Sequence, residues 1–201
     1  MTDIGIIANS FCPLYCRFCT RAYQIGQSTG VLTKEPLAAS QKRWEPCFEY
    51  IQGTPDLEDI VVSGGDTFML DPEQLHYLGK RLLDIPHIKR IRVASKGLAV
   101  SPSRFLDPND QWTASLVTLS DYARRKGKLF ALHTHFNHPN ELTWVSRKAA
   151  RHLYRAGVTV RNQTVLLKGV NDTTEVMGRL IKDLADAAIT PVSPSPKVLN
   201  L

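Results

Sequence analysis

Short apolar runs recur along this chain, and stretches with helical spacing fill the gaps between them. The runs cover residues 3–8, 59–63, 88–95, 128–135 and 158–167, and residues 189–192 begin another. From Ser63 onward their ends recur about every 25 to 40 residues, the cadence of a parallel α/β sheet. The gaps carry helical stripes. Trp44, Phe48 and Ile51 share one face of a helix expected over residues 33–53. Leu75, Leu78 and Leu82 follow a start at Asp71-Pro72-Glu73-Gln74, where Asp71 caps, Pro72 suits the first position and Gln74 completes a capping box. Trp112, Leu116, Leu119 and Ala123 mark a third helix, Leu142, Val145, Ala149 and Leu153 a fourth, and Val176, Leu180 and Leu184 a fifth. The expected fold is a partial TIM-type (β/α)6 barrel: five strand–helix units and the start of a sixth. No linker or repeat divides the chain, so one core domain is expected over residues 1–192. The Ser-Pro text from Ser193 gives an irregular tail over 193–201.

In a parallel barrel the catalytic groups sit at the carboxyl ends of the strands, and the unusual residues of this sequence fall there. The first run leads into Cys12-Pro13-Leu14-Tyr15-Cys16-Arg17-Phe18-Cys19-Thr20-Arg21. Three cysteines with three and two residues between them can converge when the backbone loops round. Three thiolates are one short of the usual set for an iron–sulfur cube, which leaves one iron open to a small molecule. The spacing also admits structural zinc, with a histidine as fourth ligand, although zinc ligands usually come as C-x2-C pairs. Cys47 falls on a helical stripe and reads as a small buried hydrophobe.

Gly64-Gly65-Asp66 follows the second run. The glycines permit a close backbone approach, and the carboxylate can accept from an ammonium group. His133 and His135 stand two apart on the fourth run, with His138 nearby; hydrogen bonding, a polar layer and metal ligation all remain open for them. Gln163 offers an amide on the fifth run. Arg21 suits a carboxylate in bidentate fashion, and Arg92 and Lys96 could neutralise a phosphate or carboxylate.

The bulk numbers narrow the function class. The net charge of +6 is dispersed rather than gathered in a tract, which argues against nucleic acid and suits small anions. No apolar run is long enough to span a membrane, and the amino terminus lacks a signal layout. With cysteines read as reduced, a cytoplasmic setting is expected.

Cys16-Arg17-Phe18-Cys19-Thr20-Arg21, Val62-Ser63-Gly64-Gly65-Asp66, Ile85-Pro86-His87, the stretch from His133 to Glu141 and the stretch from Asn162 to Asn171 stand in one order along the chain. Together they resemble the lysine 2,3-aminomutase family of radical S-adenosylmethionine (SAM) enzymes, over about residues 4–191. The resemblance implies a 4Fe-4S cluster on Cys12, Cys16 and Cys19, and SAM contacts from Phe18, Gly64, Gly65, Asp66, His135 and Gln163. Phe18 replaces a histidine of the best known members and keeps a flat ring for adenine. Arg21 matches the arginine that holds the substrate carboxylate. The implied reaction moves an α-amino group of a small amino acid to the β-carbon, is initiated by a 5′-deoxyadenosyl radical, and uses pyridoxal phosphate (PLP) and an external electron donor. A homo-oligomer stays open.

The sequence also departs from that pattern. The family's PLP lysine belongs to a glycine-rich segment further downstream than this chain reaches, and Lys197 in its Ser-Pro setting is no substitute. Only eleven residues precede Cys12. The chain therefore reads as truncated at both ends, and no catalytic residue is assigned within it. Two further readings compete: a remnant that binds cluster and SAM without turnover, and a zinc-binding structural protein.

Overall fold

The computed structural model describes residues 3–192 and 198–199. In chain order the elements are β1 (Asp3–Ile7), α1 (Gln41–Gln52), β2 (Asp59–Ser63), α2 (Pro72–Asp84), β3 (Arg90–Ala94), α3 (Gly97–Val100), α4 (Gln111–Arg125), β4 (Leu129–Thr134), α5 (Trp144–Arg155), β5 (Thr159–Asn162), β6 (Leu166–Leu167), α6 (Thr174–Asp186), β7 (Thr190–Pro191) and β8 (Val198–Leu199). Six strands form one all-parallel sheet in the order β1-β2-β3-β4-β5-β7. This is the expected α/β class with its strand–helix cadence. The parallel pairing follows from the crossovers, since each strand returns through a helical connection.

Alternation sorts the two faces. Ile60, Val62, Ile91, Val93, Leu132 and Val160 are buried on the helix side. The helices supply Trp44, Phe48, Leu75, Leu78, Leu82, Leu116, Leu119, Leu153, Leu180 and Leu184 to the same core, as their stripes require. Gly79 lets α2 approach α4 closely: a Cβ there would stand 2.5 Å from Leu119 Cδ1. Phe68, Phe105 and Trp112 form an aromatic cluster with centroids 5.3–5.6 Å apart. The Trp112 indole N–H donates to the Thr67 carbonyl at 3.3 Å.

Several expected boundaries move. The helix expected from residue 33 starts only at Gln41, because the preceding stretch braces the cysteine loop instead. Ser10 N donates to Leu37 O at 2.9 Å, and Leu37 N donates to Ser10 Oγ at 2.8 Å. β4 ends at Thr134, so His135 opens a loop rather than closing a strand. The run at 158–167 is two strands. Between them Asn162 spends its side chain across the chain, accepting from Phe136 N at 2.6 Å and donating to Phe136 O at 3.0 Å and Thr164 Oγ1 at 2.9 Å. The helical turns at Gly97–Val100 and Pro102–Leu106 carried no periodic signal. The Ser-Pro stretch at 193–197 lies outside the described residues. Within the expected tail, Val198–Leu199 pairs in parallel with Leu166–Leu167.

The β1–β2 ladder runs on past both strands. Ala8 N donates to Ser63 O at 2.8 Å, Gly65 N to Asn9 O at 2.8 Å, and Asp66 N to Phe11 O at 2.9 Å. A Cβ at Gly64 would lie 2.3 Å from Asn9 O, and one at Gly65 1.9 Å from Phe11 O. Gly64 also sits at φ +134°, a conformation that side chains rarely adopt. The two glycines thus admit the chain that carries the cysteines.

Two outcomes follow. Trp112→Ala removes a fully buried ring and should cost about 3–5 kcal/mol, read by urea denaturation. Gly65→Ala should lower stability by at least about 1–3 kcal/mol, because its methyl meets backbone rather than a movable side chain. A melting curve unchanged in Gly65→Ala would contradict this docking of the loop.

Candidate active site

The cysteines lie in the segment that residues 9–11 hold against Gly64-Gly65-Asp66. Asn9 is 1% exposed and locks the entry: its Oδ1 accepts from Phe11 N at 2.7 Å, and its Nδ2 donates to Asp66 O at 3.2 Å. Within the loop Cys19 N donates to Cys16 O at 3.0 Å, and just past it Ile25 N donates to Arg21 O at 2.9 Å. Cys12, Cys16 and Cys19 are all half-buried free thiols. Burial pushes the Cys12 thiol up to about 11, with Asp66, Cys16 and Cys19 adding to the rise. Burial also raises Cys16, against the lowering by Lys96. These mutual effects place the three thiols in one neighbourhood. A thiol held protonated in this way gives up its proton when a metal supplies the missing positive charge.

Among the described residues no three His, Cys, Asp or Glu side chains converge on a single ion. A cube differs from a single ion in this respect, since it spreads its thiolates over separate irons. Structural zinc needs ligands converging on one point. The donor set, three soft sulfurs in an open loop beside a strand-end rim, fits an iron–sulfur cube. The histidines join no such group: His138 Nδ1 accepts from Asn140 N at 3.2 Å within its own turn.

The rim beside the loop is tied together across three strand ends. Asp66 is 4% exposed, and its carboxylate accepts from Phe68 N at 2.8 Å and Lys96 N at 2.9 Å. Burial raises its pKa, with both amides pulling the other way. The carboxylate is thus committed to backbone donors, so the close approach that this turn offers a ligand is through its backbone. Lys96 Nζ donates to His135 O at 2.6 Å and Glu141 Oε1 at 2.7 Å. It holds the rim together rather than waiting for an anion.

Phe18 and His135 meet, their rings stacked with centroids 5.3 Å apart and planes 16° from parallel. His135 Nε2 is buried without a partner. Burial, helped by Lys96, lowers its pKa to about 4, so the ring is neutral at pH 7. An orphaned buried nitrogen beside a flat ring fits a ligand with its own hydrogen-bonding edge. Gln163 stands one step beyond the paired Thr134–Asn162 position, side chain exposed, with its backbone N donating to Thr134 O at 3.0 Å. Arg21 crosses to β2, where Nη1 donates to Ser63 Oγ at 2.6 Å. Arg92 turns to the strand starts instead, and its Nε donates to Asp59 at 2.9 Å.

Phe18, Gly64, Gly65, Asp66, His135 and Arg21 therefore gather with the cysteines at the carboxyl ends of β1, β2 and β4, with Gln163 at the end of β5. Asn9 and Glu141 were missed as positioning residues. The signal was available in each case: an asparagine just past a strand, and an acid three residues after His138.

No protein-family model matches the chain. Among curated proteins it is 39% identical to the L-lysine 2,3-aminomutase of Acetoanaerobium sticklandii over 180 residues, which is 90% of this chain and 39% of that protein. It is 36% identical to the enzyme of that name from Clostridium subterminale over 186 residues, or 92% and 40%. With the Escherichia coli protein of that name it shares 32% over 187 residues, or 92% and 49%. The chain thus spans between two-fifths and half the length of these relatives. In fold it is similar to the radical SAM methyltransferase TsrM of Kitasatospora setae, solved with cobalamin and a 4Fe-4S cluster. That match has TM-score 0.53 and 12% identity, and covers 93% of this chain and 36% of that one. A radical SAM methyltransferase of Sphaerobacter thermophilus gives TM-score 0.51 and 18% identity, covering 94% and 54%. Over about nine-tenths of its length the chain is thus similar in sequence to the lysine 2,3-aminomutases, and its fold is similar to those of the two radical SAM methyltransferases.

Proposed function

We propose that this chain is the core of an amino-acid 2,3-aminomutase, with residues 1–192 as its radical SAM domain. The observation that carries the reading is the docking of the three-cysteine loop onto Gly64-Gly65-Asp66, beside the orphaned His135. Cys12, Cys16 and Cys19 would hold the cluster. Phe18, Gly64, Gly65, Asp66, His135 and Gln163 would line the SAM site, and Arg21 would take the carboxylate of an amino acid. When bound, cluster and SAM supply one-electron cleavage of a sulfonium, which begins hydrogen abstraction. The chain's own part is to ligate, orient and exclude water. Neutral His135 offers a nitrogen without adding charge near the cluster. The enzyme would be cytoplasmic and draw electrons from an external donor; among the described residues no helix is long and apolar enough to cross a membrane.

PLP fits these residues poorly. Of the described lysines, Lys96 is the one tied into the rim, and Glu141 and the His135 carbonyl already hold it. That observation favours a narrower second reading, a chain that binds cluster and SAM without moving an amino group. Incubation with PLP and borohydride decides between them: a pyridoxyl adduct on a lysine of this chain sinks the narrower one.

Three outcomes test the site. After anaerobic reconstitution Cys16→Ala should lose its iron, sulfide and reductive SAM cleavage, whereas Cys47→Ala keeps them; full cleavage in Cys16→Ala would end the cluster assignment. Arg21→Ala should weaken amino-acid binding about 10- to 100-fold with iron content unchanged, the scale of a charged hydrogen bond. Stability should fall as pH drops from 6.5 toward 4. The unfolded chain takes up protons near 6.5 that His135 and His133, both lowered to about 4 chiefly by burial, refuse when folded. A double His133→Gln, His135→Gln variant should flatten that slope in denaturation curves.

A further inference from the structure

The concave face of the sheet, opposite the helices, holds a cavity of about 280 Å³ lined by Arg92, His133, Arg161 and Gln163 among others. Register aligns its central residues. Ala94 pairs with His133, His133 with Arg161, and Arg161 with Thr190, while Ser63 stands one step past the Val62–Val93 pair. One cross-strand row thus runs Ser63, Ala94, His133, Arg161, with Arg21 bonded over Ser63 at its near end. No acid stands in that row. The nearest acid lining the cavity is Asp59 at the start of β2, already accepting from Arg90 and Arg92.

We propose that this face carries an oxyanion site between His133 and Arg161, walled by Arg92, which takes a carboxylate or a phosphate group. Two groups there lack partners. The Arg161 guanidinium has no ion pair or hydrogen bond among the described residues, and His133 Nε2 is buried with none. Both Arg92 and Arg161 hold the His133 proton off, second to burial itself, which sets the two guanidinium groups around one imidazole. A partly desolvated cation without a counter-charge is costly, and a bound oxyanion offsets that cost through charge-assisted hydrogen bonds. The neutral ring can donate from Nε2 to the same oxyanion. The site lies two residues, about 6.6 Å along the strands, below the rim formed by Lys96, His135 and Gln163. It goes beyond the aminomutase reading and needs neither cluster nor SAM.

The test is a titration of the full chain, free of cluster, with inorganic phosphate, glutamate and lysine, followed by amide NMR and calorimetry. Phosphate or glutamate should saturate and shift the amides of His133 and Arg161 first, and lysine should shift neither. Arg161→Ala should weaken binding at least tenfold, Arg161→Lys less, and Arg151→Ala on the outer surface not at all. Tighter phosphate binding identifies a phosphate monoester as the ligand class. Tighter glutamate binding that Arg21→Ala also weakens identifies an acidic amino acid spanning both arginines. The proposal is overturned if neither anion saturates, if the shifts map elsewhere, or if Arg161→Ala with an unchanged melting curve binds as tightly. Binding without cluster formation would sink only the functional reading, and cluster formation without binding would sink only this site.

Discussion

Two backbone hydrogen bonds beyond the end of a strand pair decide where the three-cysteine loop sits. They join Asn9 O to Gly65 and Phe11 O to Asp66, and they exist because positions 64 and 65 carry no Cβ. Without that close approach the cysteine loop has no floor. With it, the loop continues directly from a parallel strand ladder whose helix-facing side is buried. Asn9 and Ser10 then spend their side chains on the loop itself and on the strap at Leu37. The loop is thereby gripped from both sides.

The rim around it depends on satisfied charge rather than on apolar packing. Asp66 and Lys96 are linked through a backbone amide, Lys96 and Glu141 through an ion pair, and Glu141 in turn accepts from the amides of Asn137 and His138. Each member is partly or fully buried, so each would be costly alone. Connected, they fix the relative height of the β2, β3 and β4 ends. Asn162 and Asn171 extend the pattern to β5 and β6, each bonding backbone groups across the loops. Against this background the buried, unpartnered nitrogens of His133 and His135 stand out, with the Thr134 hydroxyl between them also unpaired.

Much of this was legible in the sequence, for identifiable reasons. The helix stripes at Leu75, Leu78 and Leu82 and at Trp112, Leu116 and Leu119 have the period of 3.6 and were read correctly. The strand at 59–63 matched at both ends, because Gly64 stops it. Gly64, Gly65, Asp66 and His135 lie just past strand ends, as the ends of the same apolar runs predict. What escaped was long-range. The stretch at 33–40 is not helical because Leu37 bonds Ser10, twenty-seven positions away. The break after Asn162 comes from Phe136, twenty-six positions away. The commitment of the Asp66 carboxylate to Lys96 N crosses thirty positions. Local pattern carries no trace of such pairings.

The indole of Trp112 reaches from the helix layer to the carbonyl of Thr67, the residue directly after Asp66. A lesion in that distant aromatic cluster would therefore tilt the turn on which the loop rests. On the proposed reading, mutants recovered for poor cofactor retention will include core substitutions that touch no ligand. Sorting the two kinds requires a fold assay beside every binding assay, because loss of occupancy at this rim does not by itself identify a ligating side chain.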